Sequence, residues 1–304
     1  MSFSLKEELI CDHLVTSEVK RLWQVEMSCF EEVAKICKKY NLRYYASGGT
    51  LLGAVRHQGF IPWDDDMDIV MPYSDYVKFC DIASRVLPSP FFLQDYRTEP
   101  GFGPGLARVR NSDTTGCTHY EYEHFASTNY NCGIFIDIFP LFGVEEDTLK
   151  RVVQRTRMFV WWLGIAGYES LRKSRKSGNW VMKLLYPPIW YWRLLNLFYS
   201  HVDISRKFLE ACNSAKDYIE IGFLSFEGFN PKFIYLKEWY NDTVYLPFHE
   251  LKIAAPKEYD KVLRKQYGDY MVFKKGGAIH TMELFDTEIS FKEKMNKRES
   301  HNND

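Results

Sequence analysis

The sequence predicts a core that mixes strands and helices, α/β or α+β, followed by a helical annex rich in aromatic and basic residues. Three observations predict it. Short apolar runs punctuated by Gly and Pro alternate with helical periodicity from Arg43 to Pro140. An acidic run, Asp64-Asp65-Asp66-Met67-Asp68, opens directly onto the apolar run Ile69-Val70-Met71. Composition then changes between Arg151 and Ser200, where nine Lys and Arg face the single acid Glu169 and five of the eight Trp fall.

Ser17 to Tyr40 reads as a helix, because Val19, Leu22, Trp23, Met27, Phe30, Val33, Ala34 and Cys37 recur at steps of three and four. Arg43 to Ala46 reads as a short strand. Ser47-Gly48-Gly49-Thr50 turns it into a second helix through Arg56, and the two glycines permit close backbone approach at a helix start that offers free N–H groups to an anion. Ile69 to Met71 is the next strand, stopped by Pro72, and Tyr73 to Val86 the next helix. Phe91–Tyr96 and Leu106–Arg110 read as strands, Asn111 to Asn131 as a long loop, and Gly133 to Pro140 as an apolar strand carrying one Asp. Beyond the annex, Asp203 to Ile221 reads as a helix, Phe223–Phe226 and Val244–Leu246 as strands, Pro256 to Tyr267 as a helix ended by Gly268, and residues past Ser290 as a charged, frayed tail.

Composition excludes several functions. A net charge of −1 leaves no basic field for nucleic acid. The seven cysteines are odd in number and form no Cys-x-x-Cys pair, against a disulfide framework or a local zinc knuckle, so a reducing cytoplasm is the expected home. The start of the chain lacks the pattern of a signal peptide. The longest apolar run, Met158 to Tyr168, is far short of the roughly 20 residues that span a bilayer, so at most peripheral contact with a membrane surface is expected. The annex reads either as an interfacial segment lying on anionic headgroups or as a helical subdomain with core Trp and solvated Lys and Arg. No P-loop, no serine elbow and no paired zinc histidines occur.

The chemistry therefore concentrates on the aspartates. On a strand, Asp66 and Asp68 point to one face, with Asp64 continuing it and Asp65 turned away. Such a pair suits a hard divalent cation that also takes phosphate oxygens, Mg²⁺ before Mn²⁺. A lone Asp137 on an apolar strand is expensive unless compensated, so it is either the third ligand or a cap on neighbouring backbone. Arg56, Arg108 and Arg110 could grip phosphates or balance the aspartates, and His57 could donate to a ligand or orient its loop.

The stretch from Ser47 to Asp68 resembles the signature of the LicD family, which includes bacterial choline phosphotransferases and shares its core with fukutin and fukutin-related protein. Asp137-Ile138-Phe139-Pro140-Leu141 resembles the second motif of that family, and Tyr267-Gly268-Asp269-Tyr270-Met271 its C-terminal motif. The resemblance runs from about Lys39 to His280. It implies an α+β, nucleotidyltransferase-like fold: a mixed β-sheet core with flanking helices. On that reading residues 1–150 hold the catalytic core, 151–222 the annex, 223–290 the part that completes the core, and 291–304 the tail.

The resemblance also implies a donor such as CDP-choline or another CDP-alcohol, a glycan or lipid-linked glycan acceptor, and release of CMP. Asp64, Asp66, Asp68 and Asp137 match the metal-centre positions, with Asp66, Asp68 and Asp137 catalytic. Gly48, Gly49, Thr50, Arg56, His57, Arg108 and Arg110 are the candidates for holding the donor. Alternatives are a nucleotidyltransferase that releases pyrophosphate and a non-catalytic glycan- or membrane-binding protein.

Overall fold

A computed structural model describes residues 3–118, 121, 130–177, 187–225, 227–273 and 282–301. It is a mixed α+β fold whose chain divides into two compact units. The first comprises Met1–Gln94, Ala107–Phe139 and Trp239–Asp304; the second comprises Asp95–Leu106 and Pro140–Glu238.

In the first unit, a hairpin of β1 (Glu8–Ile10) and β2 (His13–Val15) leads into helix α1, Ser17–Tyr40. Thr16 caps α1 by accepting the Val19 N–H at 3.3 Å, and Asn41 ends it in the left-handed conformation. The apolar stripe of α1 is buried at Leu22, Trp23, Met27, Phe30, Val33 and Cys37, as its spacing requires. Strand β3 (Tyr45–Ala46) feeds helix α2 (Gly48–Arg56), and β4 (Asp68–Pro72) feeds helix α3 (Tyr73–Val86).

Strands β5 (Phe91–Gln94) and β6 (Ala107–Asn111) pair antiparallel, and β6 pairs in turn with β8 (Ile134–Val144). Strand β8 lies between β6 and β4, and β4 pairs antiparallel with β3. The Asp137 N–H donates to the Met67 carbonyl at 2.9 Å. This arrangement brings the start of β4 beside the middle of β8.

Several boundaries differ from expectation, each for a local reason. The long loop after Asn111 contains a strand, β7 (Thr115–Thr118), because Gly116 lets it pass against the Ile134 backbone and β13 (Met282–Asp286) pairs with it. Strand β8 runs through Pro140, which falls between Ile138, the last residue paired with β6, and Phe142, the first paired with β9 (Glu220–Gly222). In the second unit β9 pairs with β10 (Ile234–Leu236).

Pro256 ends β12 (Leu251–Pro256), the partner of β11 (Thr243–Phe248), rather than starting a helix. The second unit contains helices α4 (Thr148–Ser177), α5 (Pro187–Leu195) and α6 (His201–Cys212). Helix α6 stops at Cys212 rather than Ile221, and a Ser200–Asp203 capping box starts it earlier than expected. Helix α7 covers only Tyr259–Tyr267, with Gly268 after it at φ 72°. The region past Ser290 is helix α8, Phe291–His301, anchored by Phe291 against Cys117 and Cys132. Phe226, Trp180, Lys183 and His280 lie outside the described residues.

Candidate functional site

All candidate site residues belong to the first unit. Strand β4 begins only at Asp68, so the acidic run is the connector entering it rather than the strand itself. The alternation survives. Asp65 Oδ2 accepts the Met282 N–H at 2.9 Å and Met67 is fully buried, while the charges of Asp64 and Asp68 both press on Asp66.

The start of α2 is fitted to these carboxylates. Gly48 takes a positive φ of 53°, and a Cβ there would lie 3.3 Å from Asp68 Oδ2. A Cβ at Gly49 would collide with Asp64 Oδ2. Thr50 Oγ1 accepts the Asp68 N–H at 2.7 Å, and the Ser47 N–H donates to the Asp68 carbonyl at 3.1 Å. Ser47 makes no side-chain cap, so the positive end of the α2 dipole faces the aspartates. Trp23 Nε1 donates to the Asp64 carbonyl at 2.9 Å, which ties α1 to the same segment.

Across the sheet, Asp137 on β8 stands opposite Arg108 on β6, whose Nε donates to Asp137 Oδ1 at 2.7 Å. Arg108 Nη1 also reaches Glu121 Oε1 at 2.8 Å, and its guanidinium lies 3.8 Å above the Phe135 ring. Arg108 is thus the counter-charge of Asp137.

Arg110 corrects an expectation. It is fully buried and donates to Gln94 Oε1 at 2.7 Å, to the Gly133 carbonyl at 2.7 Å, to the Gly116 carbonyl at 3.2 Å and to Glu121 Oε1. These bonds make it a tie between strands, not a phosphate grip.

Arg56 and His57 end α2. Arg56 donates to His57 Nε2 at 3.1 Å and to the Tyr270 carbonyl at 2.9 Å, and it lies 4.6 Å above the Phe273 ring. Burial, and then Arg56, hold His57 below its usual range, so its ring is neutral near pH 7. Arg56 binds the Tyr267–Met271 segment to α2 through the Tyr270 carbonyl, while the His57 ring packs edge-on against Trp63 and Phe273.

Electrostatics shows how much negative charge is unbalanced. Burial, with neighbouring Asp65 adding to it, raises Asp64 to about 6. Burial and then Asp68, Asp64 and Asp137 push Asp66 well above the carboxylate range. Burial and then Asp137 and Asp64 do the same to Asp68. The donor set is made of hard oxygens alone, a chemistry that fits a divalent cation such as Mg²⁺, and Arg108 offsets only part of its charge. The shell is not closed, however. Among the described residues no three His, Cys, Asp or Glu side chains converge as ligands of one ion.

Sequence reasoning missed two acids. Glu26 on α1 is fully buried, neither of its carboxylate oxygens has a hydrogen-bond partner among the described residues, and burial followed by the charges of Asp66, Asp65, Asp64 and Asp68 raises it well above its usual range. Its spacing carried the signal: Glu26 lies three and four residues after Trp23 and Leu22, on the apolar stripe. Glu121 carried none, because it lies in a segment without periodicity. It accepts from both Arg108 and Arg110 and from the Thr118 N–H at 3.0 Å. Burial pushes Glu121 up, but the two arginines and Thr118 outweigh this and hold it below its ordinary value.

Known proteins share this arrangement of sequence. Residues 41–162 match the model of the LicD/FKTN/FKRP nucleotidyltransferase domain. The lipopolysaccharide cholinephosphotransferase LicD of Haemophilus influenzae is 24% identical over 242 residues, covering 78% of this chain and 84% of that protein. Uncharacterized proteins of Rickettsia typhi and Rickettsia prowazekii match over 55 residues, at 46% and 47% identity, covering 18% of this chain and 18% and 21% of theirs.

Proposed function

We propose, from the premise that the chain belongs to the LicD family through the nucleotidyltransferase domain at residues 41–162, that it is a Mg²⁺-dependent phosphotransferase. It moves phosphocholine, or a similar phospho-alcohol, from a CDP-activated donor to a hydroxyl of a glycan or its lipid-linked precursor and releases CMP. The observation that carries this reading is the fit between the α2 start and the aspartates: two glycines admit Asp64 and Asp68 to a helix end that also suits phosphate. The likeness to the Haemophilus influenzae cholinephosphotransferase supports choline as the alcohol and lipopolysaccharide as the acceptor class.

Asp66, Asp68 and Asp137 would hold the cation, with Asp64 supporting them; bound Mg²⁺ would neutralise charge on the donor diphosphate. The backbone of Gly48 and Gly49 approaches the donor phosphates. Thr50 fixes Asp68 through its N–H, and Arg108 fixes the orientation of Asp137. Asp137 takes the proton of the acceptor hydroxyl as its oxygen bonds to phosphorus and the bond to CMP breaks. Arg56 acts by holding the Tyr267–Met271 segment to α2, and His57 accepts from Arg56 and keeps it in place.

The test is a panel of CDP-alcohols with Mg²⁺, scored for CMP with and without candidate glycans. CMP should appear only with both metal and acceptor, and most readily from CDP-choline. Pyrophosphate in place of CMP would overturn phospho-alcohol transfer. Undiminished CMP release by an Asp66→Ala, Asp68→Ala double variant would overturn the site.

A further inference from the structure

Helix α4, in the second unit, has two apolar faces, and along its first half, as far as Val160, only one of them is covered; farther on, Gly164 and Gly167 lie on the other side and are packed against Leu195, Pro188 and Trp192. Its buried face carries Gln154, Met158 and Ile165. Gln154 locks the helix in rotation: its Nε2 donates to the Gly143 carbonyl at 3.0 Å and the Cys212 carbonyl at 2.8 Å, and its Oε1 accepts the Glu145 N–H at 3.1 Å. At about 100° per residue, Leu149, Val152, Val153, Thr156, Phe159 and Val160 then lie on the opposite side. They are exposed there, Leu149 at 73% and Phe159 at 55%.

Basic residues edge this stripe. Lys150 and Arg157 lie along one side and are exposed; the exposed Arg155 lies along the other, beyond Arg151, whose charge is met by Glu220 at 3.1 Å. No acid occurs from Thr148 to Tyr168. The Phe159 and Trp162 rings stack at 6.0 Å beside a cleft of about 460 Å³ that Arg155 also lines. Helix α5 adds Trp190, half-exposed with Arg193 5.0 Å above its ring, and the exposed Leu194, Leu197 and Phe198 follow. Among the described residues no helix is long and apolar enough to cross a membrane.

We propose that the outward face of α4, with Trp190 and the residues after it, docks on an anionic lipid bilayer. Apolar and aromatic side chains enter the headgroup boundary while the flanking cations meet lipid phosphates. Charge complementarity selects this occupant over a second copy of the chain, since a symmetric pair of such helices would set like charges against each other along both edges. The proposal does not rest on transferase activity, and its test reads no turnover.

The test is flotation of the full chain with vesicles of phosphatidylcholine alone or mixed with phosphatidylglycerol. The chain should float with the mixed vesicles, less so as salt rises, and not with phosphatidylcholine alone. Because each basic residue at an anionic surface is worth about fivefold in partitioning, Lys150→Ser with Arg157→Ser should weaken flotation by roughly 25-fold. Leu149→Ser, Val153→Ser and Val160→Ser together should weaken it by at least about tenfold. A circular-dichroism melt checks that these exposed substitutions leave the fold intact. No flotation by the wild-type chain, or equal flotation by the folded triple variant, would overturn the proposal. So would a dimer in sedimentation that the triple variant dissolves while vesicles go unbound, which would give this face to a second copy.

Discussion

Gly49 is the residue at which sequence and site meet most closely. A turn explains Gly48, which has a positive φ, but nothing about the Gly49 backbone demands glycine; the constraint is Asp64, whose Oδ2 occupies the space a Cβ would take. Gly49→Ala should therefore move Asp64 and disturb the carboxylates it couples to. The expected result is CMP release at least about tenfold slower, with a stability loss of about 1–3 kcal/mol from overpacking, read by steady-state assay and denaturant titration on the same protein. An alanine variant with unchanged turnover would remove Asp64 from the site. At this scale the acidic run, the glycines and Asp137 were legible because their chemistry is costly in any bland setting. Glu26 was half-legible, since helical spacing places it but a single glutamate on a long charged helix reads as solvated. Glu121 was not, because the groups it serves, Arg108 and Arg110, lie on a strand 13 and 11 residues away.

Among the elements, helices were easier to read than strands. α1, α2 and α3 begin and end where periodicity and the flanking Gly and Pro residues place them, with a side-chain cap at α1 only, because those signals are local. β7, β9 and β13 span three to five residues, and each pairs with a strand distant in the chain (β7 with β13, and β9 with β8), so no local pattern announces them. What holds such strands is visible at Arg110, which joins β5 through Gln94, β7 through the Gly116 carbonyl, and the approach to β8 through the Gly133 carbonyl. Arg110→Met keeps the stem but strands two carbonyls and takes one of two cations from buried Glu121. It should cost on the order of 3–5 kcal/mol in denaturant unfolding. Because Arg108 still holds Asp137, kcat of the protein that remains folded should fall much less than its stability. A loss of activity without loss of stability would return Arg110 to the list of phosphate-binding residues.

For the whole molecule, the site is a load on stability that a cation would relieve. Carboxyls raised in the folded state bind protons there at pH values where the unfolded chain has released them, so each one destabilises the fold increasingly as pH rises above about 4. For Asp64 the cost is complete above its folded value of about 6; Asp66, Asp68 and Glu26 extend it higher. His249 has the opposite sign. It packs among Trp23, Phe60 and Phe248 and accepts the Phe60 N–H at 3.2 Å, and burial lowers it to about 4. Its contribution is present above the unfolded value of about 6.5 and is lost as pH falls towards 4. Between about pH 4 and 6 the two effects oppose each other, whereas above pH 6.5 the carboxyls act alone. The metal-free protein should therefore melt lower at about pH 8 than at about pH 6. Millimolar Mg²⁺ should restore the loss mainly at the higher pH, since cation and proton compete for the same oxygens. Asp66→Asn should raise the metal-free melting temperature at about pH 8, by about 2–4 °C per kcal/mol relieved, while abolishing CMP release. Scanning calorimetry of both proteins with and without Mg²⁺ checks this. If the melting temperature of the wild-type protein were independent of pH above 6.5 and indifferent to Mg²⁺, the aspartates would not form the buried, charge-strained centre on which the proposed activity depends.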